Sequence, residues 1–319
     1  MSLRVIIVGA GGVGACFGGR LAQGGCDVGF VARGPQLAAL LAHGLHVESE
    51  LGNIHLPQVR ASENPADLGP ADIVLLCVKL WDTGSAAQAV KPIVGPETAV
   101  ISLQNGVEKE KMLREILGPE AVVGGVSYIV AKILQPGVVK QTGKMQRLVF
   151  GETDGSVSRR TEHFLAACQR AAIEAEISPD IRRAIWEKFV FVTGTSATTA
   201  SMRSTIGPIR ENRRTRSFLL DIMREVVAVG RAHQVALPED FAENRLAFCD
   251  GLSPEMTSSM HTDLDHGKPL ELEWLSGSVV ELGEAVGIPT PLNRGVRDIM
   301  ELYRLGQSGR RSETNACPL

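Results

Sequence analysis

The sequence predicts an α/β domain built on a doubly wound parallel sheet, followed by an all-α domain. Three observations carry this reading. From residue 3 to about 150, short β-branched runs alternate with helical segments, the pattern of strands joined by covering helices. Two of the runs, "DIVLLCVK" (72–79) and "TAVISLQ" (98–104), are near-continuous apolar runs, as parallel strands buried on both faces should be. Beyond about residue 180 the apolar spacing turns helical, which favours a second, helical core.

Taken in order, "LRVIIVG" (3–9) reads as the first strand and "VGACFGGRLAQGG" as the helix after it. "DVGFVAR" (27–33) is the second strand, and the runs at 72–79 and 98–104 are the next two. "KMQRLVFGE" (144–152) is a strand, a helix follows over about 158–174, and "EAEISPD" (174–180) is a last short strand with a linker. "RTRSFLLDIMREVVAVGRAHQV" (214–235) is a long amphipathic helix with Leu219, Ile222, Met223, Val226, Val227 and Gly230 at helical spacing. "ELEWLSGSVVELGEAVG" (271–287) and "LNRGVRDIMELYRL" (292–305) are two more, the first stopped by Gly287 and Pro289. The expected domains are 1–178 and 179–305, with a polar, frayed tail over 306–319.

A chain of 319 residues exceeds what one core usually organises. A net charge of −3 speaks against general binding to nucleic acid or an anionic membrane, so any attraction for an anion is local. The six cysteines are scattered, without a CxxC, and are expected to be reduced thiols of a cytoplasmic protein. The seven histidines form no paired motif, so no built-in metal site is expected. No stretch has the length and apolarity of a membrane span. The N-terminal run has the look of a signal peptide, but its glycine spacing explains it better.

That spacing is "GAGGVG", residues 9–14. Gly9, Gly11 and Gly14 stand in the G-x-G-x-x-G pattern, with Gly12 and Val13 inside it, directly after a strand and opening a helix. Gly9 permits the tight turn, Gly11 lets the backbone approach a pyrophosphate, and Gly14 lets helix and strand pack closely. The helix N-terminus then offers N–H groups to phosphate. The bland alternative is a glycine-rich βα turn. The context favours a Rossmann-type dinucleotide site. The second strand ends in Arg33, with no acid until Glu48. An acid there would bind the ribose 2′-hydroxyl of NAD, whereas a cation suits the 2′-phosphate of NADP. The sequence therefore predicts NADPH, against the alternative of a solvated arginine.

"AIWEKFVFVTGTSATTA" (184–200) is a strongly apolar helix with Lys188 in its middle. Burying an ammonium is costly without compensation. Val192, Thr195, Ser196 and Thr199 share its face, which is small and partly polar. Either Lys188 snorkels to water or it stands at a pocket and transfers a proton. The residues alone weigh the two evenly.

"VGAGGVG", "FVAR", "CVKLWDT", "LQNGV", "IWEKF", "SSMHTDLDHGKPLELEWLSG" and "GIPTPLN" occur in this order. Together they resemble the ketopantoate reductases (2-dehydropantoate 2-reductases) over roughly 3 to 305. The combination of W-x-K with S-S-M and P-x-E-x-x-W is the specific part. The resemblance implies NADPH-dependent reduction of a 2-oxo acid, 2-dehydropantoate to pantoate in pantothenate biosynthesis, in a cleft between a Rossmann-type and a helical domain. It implies Lys188 as the catalytic lysine, Asn105 near nicotinamide and substrate, and Glu271 as the acid that binds a substrate hydroxyl. Ser259 becomes a carboxylate contact, and Ser196 a further substrate contact on the pocket face. Arg33 and Lys79 fall near the adenosine 2′-phosphate. Val192 and Ser196 stand where the family often has asparagine, and Asp82 where some members have glutamine. The partner implied is a small 2-oxo acid, and the chain is a monomer or homodimer. Two alternatives stand beside this reading: a related reductase acting on another 2-oxo acid or an imine, and a non-catalytic NADP-binding regulator.

The bland readings are an Asn-Gly turn for Asn105, first-turn dipole stabilisation for Glu271, a capping role for Ser259 and an exposed strand end for Lys79. His261 offers an alternative acid, against which the bland reading, a histidine at the surface, is the one expected.

Overall fold

The computed structural model describes residues 2–306. The expected tail lies outside the described residues from position 307 onward. The described residues divide into two compact units, 2–104 with 109–184, and 105–108 with 185–306.

The first unit holds one ten-stranded sheet. Its strands are β1 (Arg4–Val8), β2 (Asp27–Val31), β3 (Leu45–Glu48), β4 (Ile54–Leu56), β5 (Arg60–Ser62), β6 (Ala71–Leu76), β7 (Val94–Ser102), β8 (Val122–Gln135), β9 (Val138–Gly151) and β10 (Glu174–Ile177). Their order is β4-β3-β9-β8-β7-β6-β1-β2-β5, with β10 beside β9. From β5 to β8 every neighbouring pair is parallel; β8 and β9 run antiparallel. Val5 of β1 stands opposite Val28 on one side and Ile73 on the other. The chain leaves β1 towards β2 and returns to β6 on the far side. This is the reversal of strand order outside which α/β sheets bind ligands.

Helices α1 (Gly12–Gln23), α2 (Gly34–His43), α3 (Thr83–Val90), α4 (Lys109–Leu117) and α5 (Arg159–Arg170) accompany the sheet. Alternation divides the strand residues between two cores. Val5, Ile7, Ile73, Leu75 and Ile101 join Phe17, Phe30, Phe150 and Phe164 in one; Ile6, Val8, Val74, Leu76 and Val100 join Ala87, Val90 and Leu113 in the other. Burial on both sides explains why these strands read as continuous apolar runs. Helix α5 starts on a capping box at Ser158 and Thr161.

Strand β8 was not among the expected strands, although "VSYIVAKIL" (126–134) within it is largely β-branched and apolar; Gly124 and Gly125 stand ahead of that run. Both are there for close approach rather than for flexibility. A Cβ at Gly124 would stand 2.7 Å from Ile181, and one at Gly125 would stand 2.4 Å from Ile101.

The second unit is helical. It contains most of α6 (Ile181–Met202), then α7 (Ile206–Glu211), α8 (Arg213–Ala232), α9 (Phe241–Asp250), α10 (Ser259–Asp265), a π-helical turn (Glu273–Gly277), α11 (Ser278–Ala285) and α12 (Pro291–Met300). The six expected apolar positions of α8 are all buried. Helix α8 crosses α6 closely: a Cβ at Gly194 would lie 2.6 Å from Met223 Cγ. The helix expected over 271–287 begins instead as the π-helical turn.

Candidate active site

The glycine loop joins β1 to α1. Gly9 has φ +96°, and a Cβ there would sit 2.9 Å from the Cys77 and Val78 backbone. A Cβ at Gly14 would sit 2.3 Å from the Gly9 carbonyl oxygen, and one at Gly12 2.5 Å from the Ala131 carbonyl oxygen. A Cβ at Gly11 would meet nothing within 4 Å. Three of the glycines are therefore demanded by the fold, and Gly11 alone faces open space. The loop is pinned by Gly9 N–H and Ala10 N–H, which donate to Val31 O at 3.0 and 3.2 Å. Gln36 adds a second anchor, donating to Ala10 O at 2.8 Å and accepting from Gly137 N–H at 3.0 Å. Half-buried Val13 packs against the sheet core. Helix geometry leaves the first N–H groups of α1 without intrahelical partners. An open face at Gly11 beside such donors fits a pyrophosphate.

Arg33 is exposed at the N-cap of α2. Half-buried Lys79 precedes a 3₁₀ turn, Leu80–Asp82, with its Nζ 5.7 Å from the Trp81 ring centroid. Arg33 Nη2 lies 3.8 Å from Asp82 Oδ1. Cys77, at the end of β6, is only half-buried as a residue, but burial of its thiol pushes it up to about 12.

In the second unit Lys188 is half-buried on α6, between buried Trp186 and Phe189 on one side and small residues ahead of it. Thr193, Thr195, Ser196, Thr198 and Thr199 are all buried. Three of these hydroxyls are satisfied by the helix itself: Thr195 donates to Phe191 O at 2.8 Å, Thr198 to Gly194 O at 2.9 Å and Thr199 to Thr195 O at 2.7 Å. The hydroxyls of Ser196 and Thr193 have no partner among the described residues.

Asn105 is half-buried and follows Gln104, whose amide donates to Val78 O at 3.0 Å and to Thr83 Oγ1 at 2.8 Å. Gly106 then turns the chain at φ +85°. Residues 105–108 belong to the helical unit. Val107 packs in its core, and Ser278 donates to Glu108 at 3.2 Å. Glu271 is buried, two residues before the π-helical turn. Ser259 is exposed in the first turn of α10; the cap is Ser258, which accepts from His261 N–H at 3.0 Å and lies 2.8 Å from Thr199 Oγ1. His261 is a correction: it is buried, with Nε2 3.2 Å from Asp265.

Lys188, Asn105, Ser196, Ser259 and Glu271 thus share one compact unit, while Gly9 to Gly14, Arg33 and Lys79 share the other. Gln36, Gln104, Glu108, Ser258 and Ser278 were missed from the sequence, since each acts through a partner distant in the chain. The buried, unpartnered hydroxyl of Ser276 lies in the π-helical turn, a feature frequent at functional sites. Among the described residues no cluster of metal-ligating side chains occurs, and no helix is long and apolar enough to cross a membrane.

Comparison with known proteins agrees over both units. The family model "Ketopantoate reductase PanE/ApbA" matches residues 5–155, and its C-terminal counterpart matches 180–304. A 2-dehydropantoate 2-reductase of Archaeoglobus fulgidus is 34% identical, covering 96% of this chain and 98% of that one. An uncharacterized oxidoreductase of Bacillus subtilis, YkpB, is 28% identical over 94% and 99%. The crystal structure of a PanE/ApbA family ketopantoate reductase from Ralstonia eutropha superposes with a TM-score of 0.87 at 34% identity, over 95% of this chain and 98% of that one. With both halves matched in order and the fold shared over 95% of its length, the chain belongs to the ketopantoate reductase family of oxidoreductases.

Proposed function

We propose that this chain reduces a 2-oxo acid to a 2-hydroxy acid with NADPH, with 2-dehydropantoate as substrate and pantoate as product. The observation that carries the reading is Lys188. It is a half-buried cation on α6, with small, partly hydroxylic residues following it at helical spacing, in the unit that also holds Asn105 and buried Glu271. Relatives named 2-dehydropantoate 2-reductase support it. In this reading residues 1–178 serve the cofactor and 179–305 the substrate, and the protein works in the cytoplasm on a small molecule of pantothenate biosynthesis.

Gly9, Gly11, Gly12, Val13 and Gly14 would hold the pyrophosphate, and Arg33 and Lys79 the 2′-phosphate. When bound, the dinucleotide supplies the hydride. The chain's own residues do the rest. Negative charge grows on the carbonyl oxygen as the ketone is reduced, and an ammonium beside it both stabilises that charge and supplies the proton. Lys188 takes this role. Asn105, an uncharged donor on a fixed turn, orients the carbonyl. Ser259 and Ser196 donate to the carboxylate. Glu271 accepts from a substrate hydroxyl.

Val192 and Ser196 favour a second substrate assignment, since a valine and a serine leave a less polar face than two asparagines, without their amide donors. On that reading the substrate is another branched 2-oxo acid or an imine. A turnover assay with NADPH over a panel of 2-oxo acids decides between them. Lys188→Ala should lower kcat on the best substrate by ~10²–10⁴ and leave NADPH binding nearly unchanged. Near-wild-type turnover by that variant would mean that Lys188 only snorkels.

A further inference from the structure

We propose that Asp82 sets the margin by which this chain prefers NADPH over NADH, by competing with the 2′-phosphate for Arg33. The inference rests on the proposed reading of Arg33 as the 2′-phosphate contact.

Two observations point to it. Arg33, just beyond the C-terminal end of β2, and Asp82, beyond that of β6, flank the end of β1 from which the glycine loop leaves. Their side chains face each other, Nη2 to Oδ1 at 3.8 Å. Asp82 joins the 3₁₀ turn to α3 in helical conformation, φ −91° and ψ −1°, so its carboxylate is not in the extended geometry that accepts from a helix's first N–H groups. Its side chain makes no such bond. The helix start is organised instead by backbone and hydroxyl contacts: Asp82 N–H donates to Lys79 O at 2.9 Å, and Ser85 Oγ donates to Asp82 O at 3.0 Å. The carboxylate is left beside the arginine.

The chemistry follows from charge. A guanidinium already facing a carboxylate has less to offer a phosphate, and the carboxylate itself repels a second anion brought to the same cation. NADH, with a 2′-hydroxyl in that place, meets no such repulsion. Asp82 therefore narrows the selectivity that Arg33 provides. Both side chains are well exposed, Arg33 at 62% and Asp82 at 36%, so water and salt screen the effect. A single carboxylate within a few ångströms of a dianion, half screened, changes an affinity by roughly 3- to 15-fold.

The experiment is titration of the full chain with NADPH and with NADH, read by nicotinamide fluorescence at low and high salt. Wild type, Asp82→Asn and Asp82→Glu are compared. Asp82→Asn should tighten NADPH by roughly 3- to 15-fold at low salt and by less at high salt, with NADH moving less than about twofold. Asp82→Glu keeps the charge and should keep the wild-type ratio. Unchanged NADPH affinity in Asp82→Asn would overturn the proposal while leaving the function reading intact. So would a selective loss of NADH, which would make Asp82 a ribose-hydroxyl ligand. Failure of wild type to bind either dinucleotide would remove the function reading and this inference together.

Discussion

Gly11 and Gly14 belong to one motif, yet the structure requires opposite consequences of adding a methyl group to each. Gly11 has φ −80° and ψ −160°, ordinary for any L-residue, and its added Cβ would touch nothing within 4 Å. Gly11→Ala restricts the unfolded chain, a gain of roughly 0.4–1 kcal/mol. It also weakens an N-cap, a loss of a few tenths to about 1 kcal/mol. The two nearly cancel, so stability should stay within about 0.5 kcal/mol of wild type. Gly14 lies inside α1, where alanine gains about 1 kcal/mol of helix propensity. Its Cβ would, however, stand 2.3 Å from the Gly9 carbonyl oxygen and 2.8 Å from Ile7 Cγ2. Overpacking costs ~1–3 kcal/mol, and more against a backbone atom that cannot swing away. Gly14→Ala should lose about 2 kcal/mol net. Urea unfolding measures both, and fluorescence titration measures NADPH binding. Gly11→Ala should fold normally but bind NADPH at least ~10-fold more weakly, because the methyl occupies the face open to the pyrophosphate. Wild-type binding by Gly11→Ala would refute the placement of the cofactor on this loop. Wild-type stability in Gly14→Ala would refute the packing argument.

Three other outcomes follow from the site. Ser196→Ala removes a buried hydroxyl with no partner among the described residues; stability should be unchanged or rise by about 1 kcal/mol, while KM for the 2-oxo acid rises, and unchanged KM would remove Ser196 from the substrate contacts. Glu271→Ala should raise KM for the substrate with a smaller effect on kcat, as loss of a contact made equally in ground and transition states does; a fall confined to kcat would assign it a chemical role. The Cys77 thiol is pushed up to about 12 by burial, and since the thiolate is the nucleophile, iodoacetamide at pH 8 should modify Cys77 far more slowly than a free thiol, which mass spectrometry of the labelled peptides checks.

The parallel core of the sheet was legible because its strands are buried on both faces and leave few polar positions to blur them. The strands that escaped notice lie at the two margins of that core, β5 and β8, or beyond it, β3 and β4. Strands β3, β4 and β5 have 4, 3 and 3 residues, too few for periodicity to declare itself. Strand β8 has 14 residues and its run "VSYIVAKIL" is largely β-branched and apolar, so most of it was legible; what the sequence hides is why the strand starts earlier, through the glycine pair that admits Ile181 and Ile101. Local propensity reads Gly-Gly as a break, and only the tertiary contact shows that a side chain would not fit. The π-helical turn was hidden for the converse reason. "ELEWLSGSVV" has helical spacing whether or not one residue bulges, and Ser278, bonded to both Glu273 O and Glu108, helps hold it.

The candidate site was legible where a residue type contradicts its surroundings. Lys188 in an apolar helix, and an arginine in place of an acid after β2, are mismatches visible in one dimension. Ser258 and Ser259 show where that method stops. Both are serines before a helix, and the spacing alone does not say which one caps. The structure decides it through a residue nearly sixty positions away: Thr199, on the helix of Lys188, lies 2.8 Å from Ser258 Oγ. Ser258 is thereby committed to the fold on two sides, to Thr199 and to the His261 N–H, and Ser259 is left exposed beside it. The same logic separates the hydroxyls of α6. Thr195, Thr198 and Thr199 return their protons to carbonyls one turn back, which costs the helix little and leaves no donor to spare. Ser196, with the same chemistry and the same burial, makes no such return. A buried polar group left unpaired costs about 1–3 kcal/mol. Among the buried hydroxyls on the Lys188 face, Ser196 is therefore the one with a donor still free for a substrate.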